Sequence, residues 1–119
     1  VSEQLSDDLV ALLGDDGFLA LVEAFGGRRL YVPQTIGADH EIAEAIGEDN
    51  AARLSERYAP AQLRIPLARE ERARHYRAGG LSNGKIATRL GMTEPGVDKL
   101  FARMDAPPEK GSAQLSLDI

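Results

Sequence analysis

The first half of the chain is written twice. Residues 13–33, LGDDGFLALVEAFGGRRLYVP, align without a gap on residues 46–66, IGEDNAARLSERYAPAQLRIP, at an offset of 33. Six positions are identical: Gly14/Gly47, Asp16/Asp49, Leu21/Leu54, Glu23/Glu56, Leu30/Leu63 and Pro33/Pro66. Four more keep their character: Leu13/Ile46, Asp15/Glu48, Phe25/Tyr58 and Val32/Ile65. Two copies are too few for a solenoid, so the pattern predicts a duplicated supersecondary unit.

Each copy has the same local logic. Asp16 and Asp49 fall where an N-cap is expected, accepting backbone N–H bonds at a helix start. Phe18, Leu21, Val22 and Phe25 then recur at helical spacing in the first copy, as Ala51, Leu54 and Tyr58 do in the second. Gly26-Gly27 and Ala59-Pro60 end the helices. Two short extended runs follow, Leu30-Tyr31-Val32 and Leu63-Arg64-Ile65, closed by Pro33 and Pro66, which lack the N–H a ladder needs. A further helix precedes each copy, carrying Leu9, Leu12 and Leu13 or Ile42, Ala45 and Ile46. Strands this short need partners. The copies either pair their own strands or take strands from a second subunit. Phe25, Leu30, Tyr31 and Val32 are the candidate dimer contacts, and the alternative is that such side chains fill the core of one chain.

Charge is segregated along the 119 residues, which carry a net −5. Residues 1–52 hold two Arg against eleven acids, residues 53–104 hold eleven Lys or Arg against five acids, and residues 105–119 hold one Lys against three acids. A basic segment behind an acidic one points to an anionic partner or to attraction between the two halves.

The basic segment carries the sharpest pattern. Ser82 is a good N-cap, and Ile86, Ala87 and Leu90 make an apolar helical stripe. Gly91 stands where the chain must leave that helix sharply. Met92 is apolar within the turn, Thr93 is a second N-cap, and Pro95 falls in the first turn of a further helix, where its missing N–H costs little. Val97, Leu100, Phe101 and Met104 continue at helical spacing. This is the length and punctuation of a helix-turn-helix, completed by an Arg-rich helix from about Leu67 to Ala78. Helix N-termini with hydroxyl and amide side chains suit phosphate, so Ser82, Asn83, Lys85, Thr93, Lys99 and Arg103 are the candidate DNA contacts. Arg69, Arg72, Arg74, Arg77 and Arg89 are expected to add positive charge around them. The leading exposed positions of the last helix read Glu94, Pro95, Gly96 and Asp98, two acids and two residues without hydrogen-bonding side chains, so base readout there is expected to be poor or unusual.

Residues 69–104, above all GLSNGKIATRLGMTE, resemble the C-terminal module of LuxR/FixJ-type regulators. The stretch FGGRRLYVPQ, residues 25–34, resembles the Mor transcription activator family of phage Mu, in which a dimerisation region with a GG-x-x-hydrophobic-Tyr-hydrophobic-Pro strand precedes a helix-turn-helix. Gly26, Gly27, Tyr31 and Pro33 match that strand motif, whereas residues 46–66 keep the strand and proline without the glycines and tyrosine. The resemblance implies a homodimer with strands from both subunits, binding double-stranded DNA at a phage or prophage promoter and activating through RNA polymerase.

The last residues, 105–119, read as a flexible tail. Within it Gln114, Leu115 and Leu117 resemble the short Gln-Leu-x-Leu peptides that dock into bacterial sliding clamps, with Asp118-Ile119 in place of the final aromatic.

Little supports catalysis. The chain has no cysteine, and its two histidines, His40 and His75, lack neighbours at metal-ligand spacing. Paired carboxylates such as Asp15-Asp16 and Glu48-Asp49 are explained by helix caps, and the glycines fit no phosphate-loop pattern. No cofactor, metal or enzymatic activity is expected. No apolar run is long enough to span a bilayer and the N-terminus lacks a signal-peptide pattern, so a cytoplasmic protein is expected. The expected architecture is mainly α with a small β element. A duplicated helix–strand dimerisation region occupies residues 1–66, a three-helix helix-turn-helix occupies 67–104, and the tail follows. The alternative to a DNA-binding regulator is a phage-derived adaptor that uses the helix-turn-helix or the tail to bind a protein.

Overall fold

The computed structural model describes residues 2–104, without the side chains of Ser2 and Glu3. Among these residues the chain is mainly helical with one small antiparallel sheet. In order the elements are α1 (Ser2–Phe25), β1 (Arg29–Val32), α2 (Glu41–Ile46), α3 (Glu48–Tyr58), β2 (Ala61–Arg64), α4 (Arg69–Ala78), α5 (Asn83–Leu90) and α6 (Glu94–Ala102). The chain divides into two compact units, one ending at Ala68 and the other beginning at Arg69. Leu67 is exposed and Ala68 has a positive φ of 52°, which places the start of α4 at Arg69 rather than at Leu67. No helix among the described residues is long and apolar enough to cross a membrane.

The repeat is visible in the first unit as three-dimensional symmetry. α1 is kinked at Gly14, with φ 79° and ψ 170°. Its counterpart Gly47 separates α2 from α3 with φ 88° and ψ 157°. Both glycines occupy a region of backbone space that side chains with a Cβ almost never enter. Each copy is therefore helix, glycine break, helix, turn and strand. The helix starts differ from the caps expected at Asp16 and Asp49. Gly47 is itself the N-cap of α3, with no side-chain cap bond, and Asp49 lies inside the first turn. There its charge still favours the positive end of the helix. The cap made by a side chain belongs to α2, where His40 Nδ1 accepts from the Ile42 N–H at 3.1 Å.

The core repeats with the fold. Leu9 and Ile42, Leu13 and Ile46, Leu21 and Leu54, and Val32 and Ile65 are buried in equivalent places. Two pairs diverge. Val22 is matched by Ser55, whose buried hydroxyl is within donating distance of the carbonyls of Pro33 (2.8 Å) and Gln34 (2.7 Å). Phe25 is matched by Tyr58, whose hydroxyl is buried without a partner. Burial, then the Asp8 carboxylate, push the Tyr58 phenol above its ordinary value, and Arg57 pulls the other way.

The copies pair their own strands. β1 and β2 run antiparallel with Arg29 opposite Arg64, Leu30 opposite Leu63, Tyr31 opposite Gln62 and Val32 opposite Ala61. Beyond the Arg29–Arg64 pair the ladder continues, with the Ile65 N–H donating to the Arg28 carbonyl at 2.9 Å. Phe25, Leu30 and Val32, expected at a dimer contact, are buried in the core of their own unit. Strand alternation sends Leu30 and Val32 inward and Tyr31 outward, so of the four only Tyr31, 55% exposed, lies on the surface.

Candidate nucleic-acid interface

The second unit is built on one apolar cluster. Ala73 and Tyr76 from α4 meet Ile86, Ala87 and Leu90 from α5 and Val97, Leu100 and Phe101 from α6, with Met104 beyond. Punctuation sets the geometry. Ser82 Oγ accepts from the Lys85 N–H at 3.3 Å, starting α5. Gly91 then takes the left-handed conformation, φ 67° and ψ 36°, and its N–H turns back to the carbonyls of Ala87 and Thr88. Met92 packs on the core, and Thr93 Oγ1 accepts from the Gly96 N–H at 3.1 Å to start α6. Helix, three-residue turn and helix follow as the spacing predicted.

Several arginines are spent inside the unit. Arg72 is buried, and its guanidinium donates to the Arg89 carbonyl at 3.1 Å, in the last turn of α5. That carbonyl end of a helix is partially negative and suits a cation. The Arg77 guanidinium lies 5.0 Å from the centre of the Phe101 ring, and that of Arg89 lies 5.3 Å from the centre of Tyr76. Arg74 forms an exposed pair with Glu70 at 3.5 Å. Expected as a surrounding shell of charge, Arg72 is instead a core residue. Arg74, Arg77 and Arg89 cover aromatic or carboxylate groups of their own unit, and Arg69 is exposed.

The six candidate contacts divide by what they touch. Lys85, Lys99 and Arg103 are exposed. Ser82 and Thr93 are exposed too, but each hydroxyl is engaged as a cap. Asn83 is half-buried, and its side-chain amide donates to the Asp98 carboxylate of α6. The other side-chain atom of that amide, Oδ1, is buried without a partner. The Glu94 carboxylate lies over the same end of α5, where a Cβ added to Gly84 would meet it at 3.5 Å.

Helical spacing sorts the exposed side of α6 into two stripes. Glu94 and Asp98 are four residues apart, as are Lys99 and Arg103. The acidic stripe faces the N-terminus of α5. Gly96 is not an open reading position. A Cβ there would meet Thr93 Oγ1 at 3.1 Å and Met92 Cε at 3.3 Å, so the glycine lets the turn close on α6. The Asn83–Asp98 bond joins residues 15 apart in sequence, and no periodic pattern announces it.

The peptide-like segment Gln114–Ile119 lies outside the described residues. No protein-family model, no curated protein and no solved structure matches the chain.

Proposed function

We propose that the protein is a DNA-binding transcription regulator of Mor type, acting as a homodimer on a phage or prophage promoter. The single observation that carries this reading is the α5–turn–α6 unit with Lys85, Lys99 and Arg103 exposed. A unit of this kind presents its second helix to the major groove while flanking cations hold phosphates. The FGGRRLYVPQ motif ahead of it, with Tyr31 exposed on β1, supports a paired, Mor-like arrangement in which two units meet half-sites about one helical turn apart. RNA polymerase is the partner that an activator of this type would contact. The proposal places the protein in the cytoplasm and assigns it no catalytic role.

Fluorescence anisotropy against random duplex DNA, titrated from low to moderate salt, tests the reading. Binding that weakens steeply with salt supports it. A folded protein that fails to bind even at low salt overturns it. The acidic stripe of Glu94 and Asp98 favours a second reading, a phage-derived adaptor whose α6 meets a basic protein surface. A pull-down with and without residues 105–119 separates that adaptor from one working through its sliding-clamp-like tail.

A further inference from the structure

The polar side chains at the starts of α5 and α6 make bonds within the chain. Ser82 and Thr93 cap helices, and Asn83 donates to Asp98. The positive charge of the proposed DNA interface rests on Lys85, Lys99 and Arg103, which are exposed. Two carboxylates stand at the start of α5, Glu94 above Gly84 and Asp98 against Asn83. Asp98 adjoins Lys99 in sequence and is itself exposed. A carboxylate among phosphate-binding cations opposes the binding they promote.

Resting on the DNA-binding reading, we propose that Asp98 is the residue that limits affinity for arbitrary DNA. It acts twice. Its charge repels the phosphates that Lys85, Lys99 and Arg103 attract. Its hydrogen bond holds one N–H of the Asn83 amide toward α6 and so withholds that donor from the DNA backbone. Phosphate contacts supply most non-specific binding, so a negative charge in this position lowers the affinity for DNA of any sequence. The three cations and the acid form one device, with Asp98 setting how much of their attraction reaches DNA.

Asp98→Asn removes the charge and keeps an acceptor for Asn83, and an exposed Asp exchanged for Asn leaves the fold intact, which circular dichroism checks. Asp7→Asn, an exposed acid on α1, provides a matched loss of charge. Each full-length protein is titrated with random duplex DNA by anisotropy across a salt series. Asp98→Asn is expected to bind up to roughly fivefold more tightly at low salt, with a log–log salt slope steeper by roughly one. Asp7→Asn is expected to follow the wild type. If wild type, Asp98→Asn and Asp7→Asn share one salt-dependent curve, the role of Asp98 is overturned while the DNA-binding reading stands. Weaker binding by Asp98→Asn overturns it as well, because the carboxylate would then be a favourable contact. If no protein binds at low salt, the DNA reading itself falls and the inference with it.

Discussion

Leu30 and Leu63, the same position in the two copies of the repeat, lie directly opposite each other in the sheet. A local two-fold axis therefore passes through this pair. It carries Val32 onto Ile65 and Ala61 onto Arg28, and the ladder bond from the Ile65 N–H to the Arg28 carbonyl is the symmetry mate of the Val32–Ala61 pairing. One chain thus builds a miniature antiparallel pair from a duplicated unit. The symmetry is imperfect in burial, since Leu30 is buried and Leu63 half-buried. Leu30→Ala is expected to cost about 2–5 kcal/mol and Leu63→Ala roughly half as much, read as the difference in urea midpoints. An equal cost for both would show that the exposed part of Leu63 is covered in solution.

The glycine breaks make a second test. Gly14 and Gly47 hold backbone conformations in which a Cβ is strained whatever the surrounding space, and nothing lies within 4 Å of a Cβ built at either. Gly47→Ala is expected to cost about 1–3 kcal/mol of unfolding free energy. Gly91 sits in the left-handed helical region, which asparagine tolerates, so Gly91→Asn is expected to be nearly neutral in the same denaturation assay.

The cap of α2 rests on one imidazole nitrogen. His40→Ala is expected to cost about 0.5–2 kcal/mol, whereas His40→Asn retains an acceptor and most of that stability. Equal melting temperatures for the two variants would show that the bond to Ile42 contributes nothing.

Ser55 is the polar departure from the repeat. Ser55→Ala leaves the Pro33 and Gln34 carbonyls without their donor and is expected to cost about 1–3 kcal/mol. Thermal unfolding of Ser55→Ala beside Ser55→Thr, which keeps a hydroxyl, separates the lost bond from a change in packing.

At the proposed interface, Lys85→Ala is expected to weaken DNA binding by a similar factor for every sequence and to lower the salt slope by roughly one. Arg53→Ala, a loss of the same charge from the exposed side of α3, serves as the control. Parallel salt titrations of the two variants make the comparison, and equal weakening would remove Lys85 from the interface.

Local patterns in the sequence determined the helices, the short strands and the helix-turn-helix punctuation. Apolar spacing reports a helix face, and a residue such as Ser82, Thr93 or Gly91 acts within one turn of its own position. The duplication was equally legible, because two copies of one pattern prefer one local structure. The sequence puts caps at Asp16 and Asp49, and the structure puts glycine breaks at Gly14 and Gly47 instead, because a Gly break followed by an acidic first turn carries the same local signal as an Asp cap.

Tertiary structure alone decided where the side chains were spent. Arg72 reads as a surface cation until α5 brings a helix-end carbonyl to it, and Asn83 reads as a phosphate ligand until α6 lays Asp98 against it. Phe25, Leu30 and Val32 could belong to one chain or two until β1 and β2 pair within the unit and turn the strand's alternate side chains inward. Residues far apart in sequence have no periodicity to announce their meeting. Burial, hydrogen bonding and charge between them are set only when the turns bring their elements together.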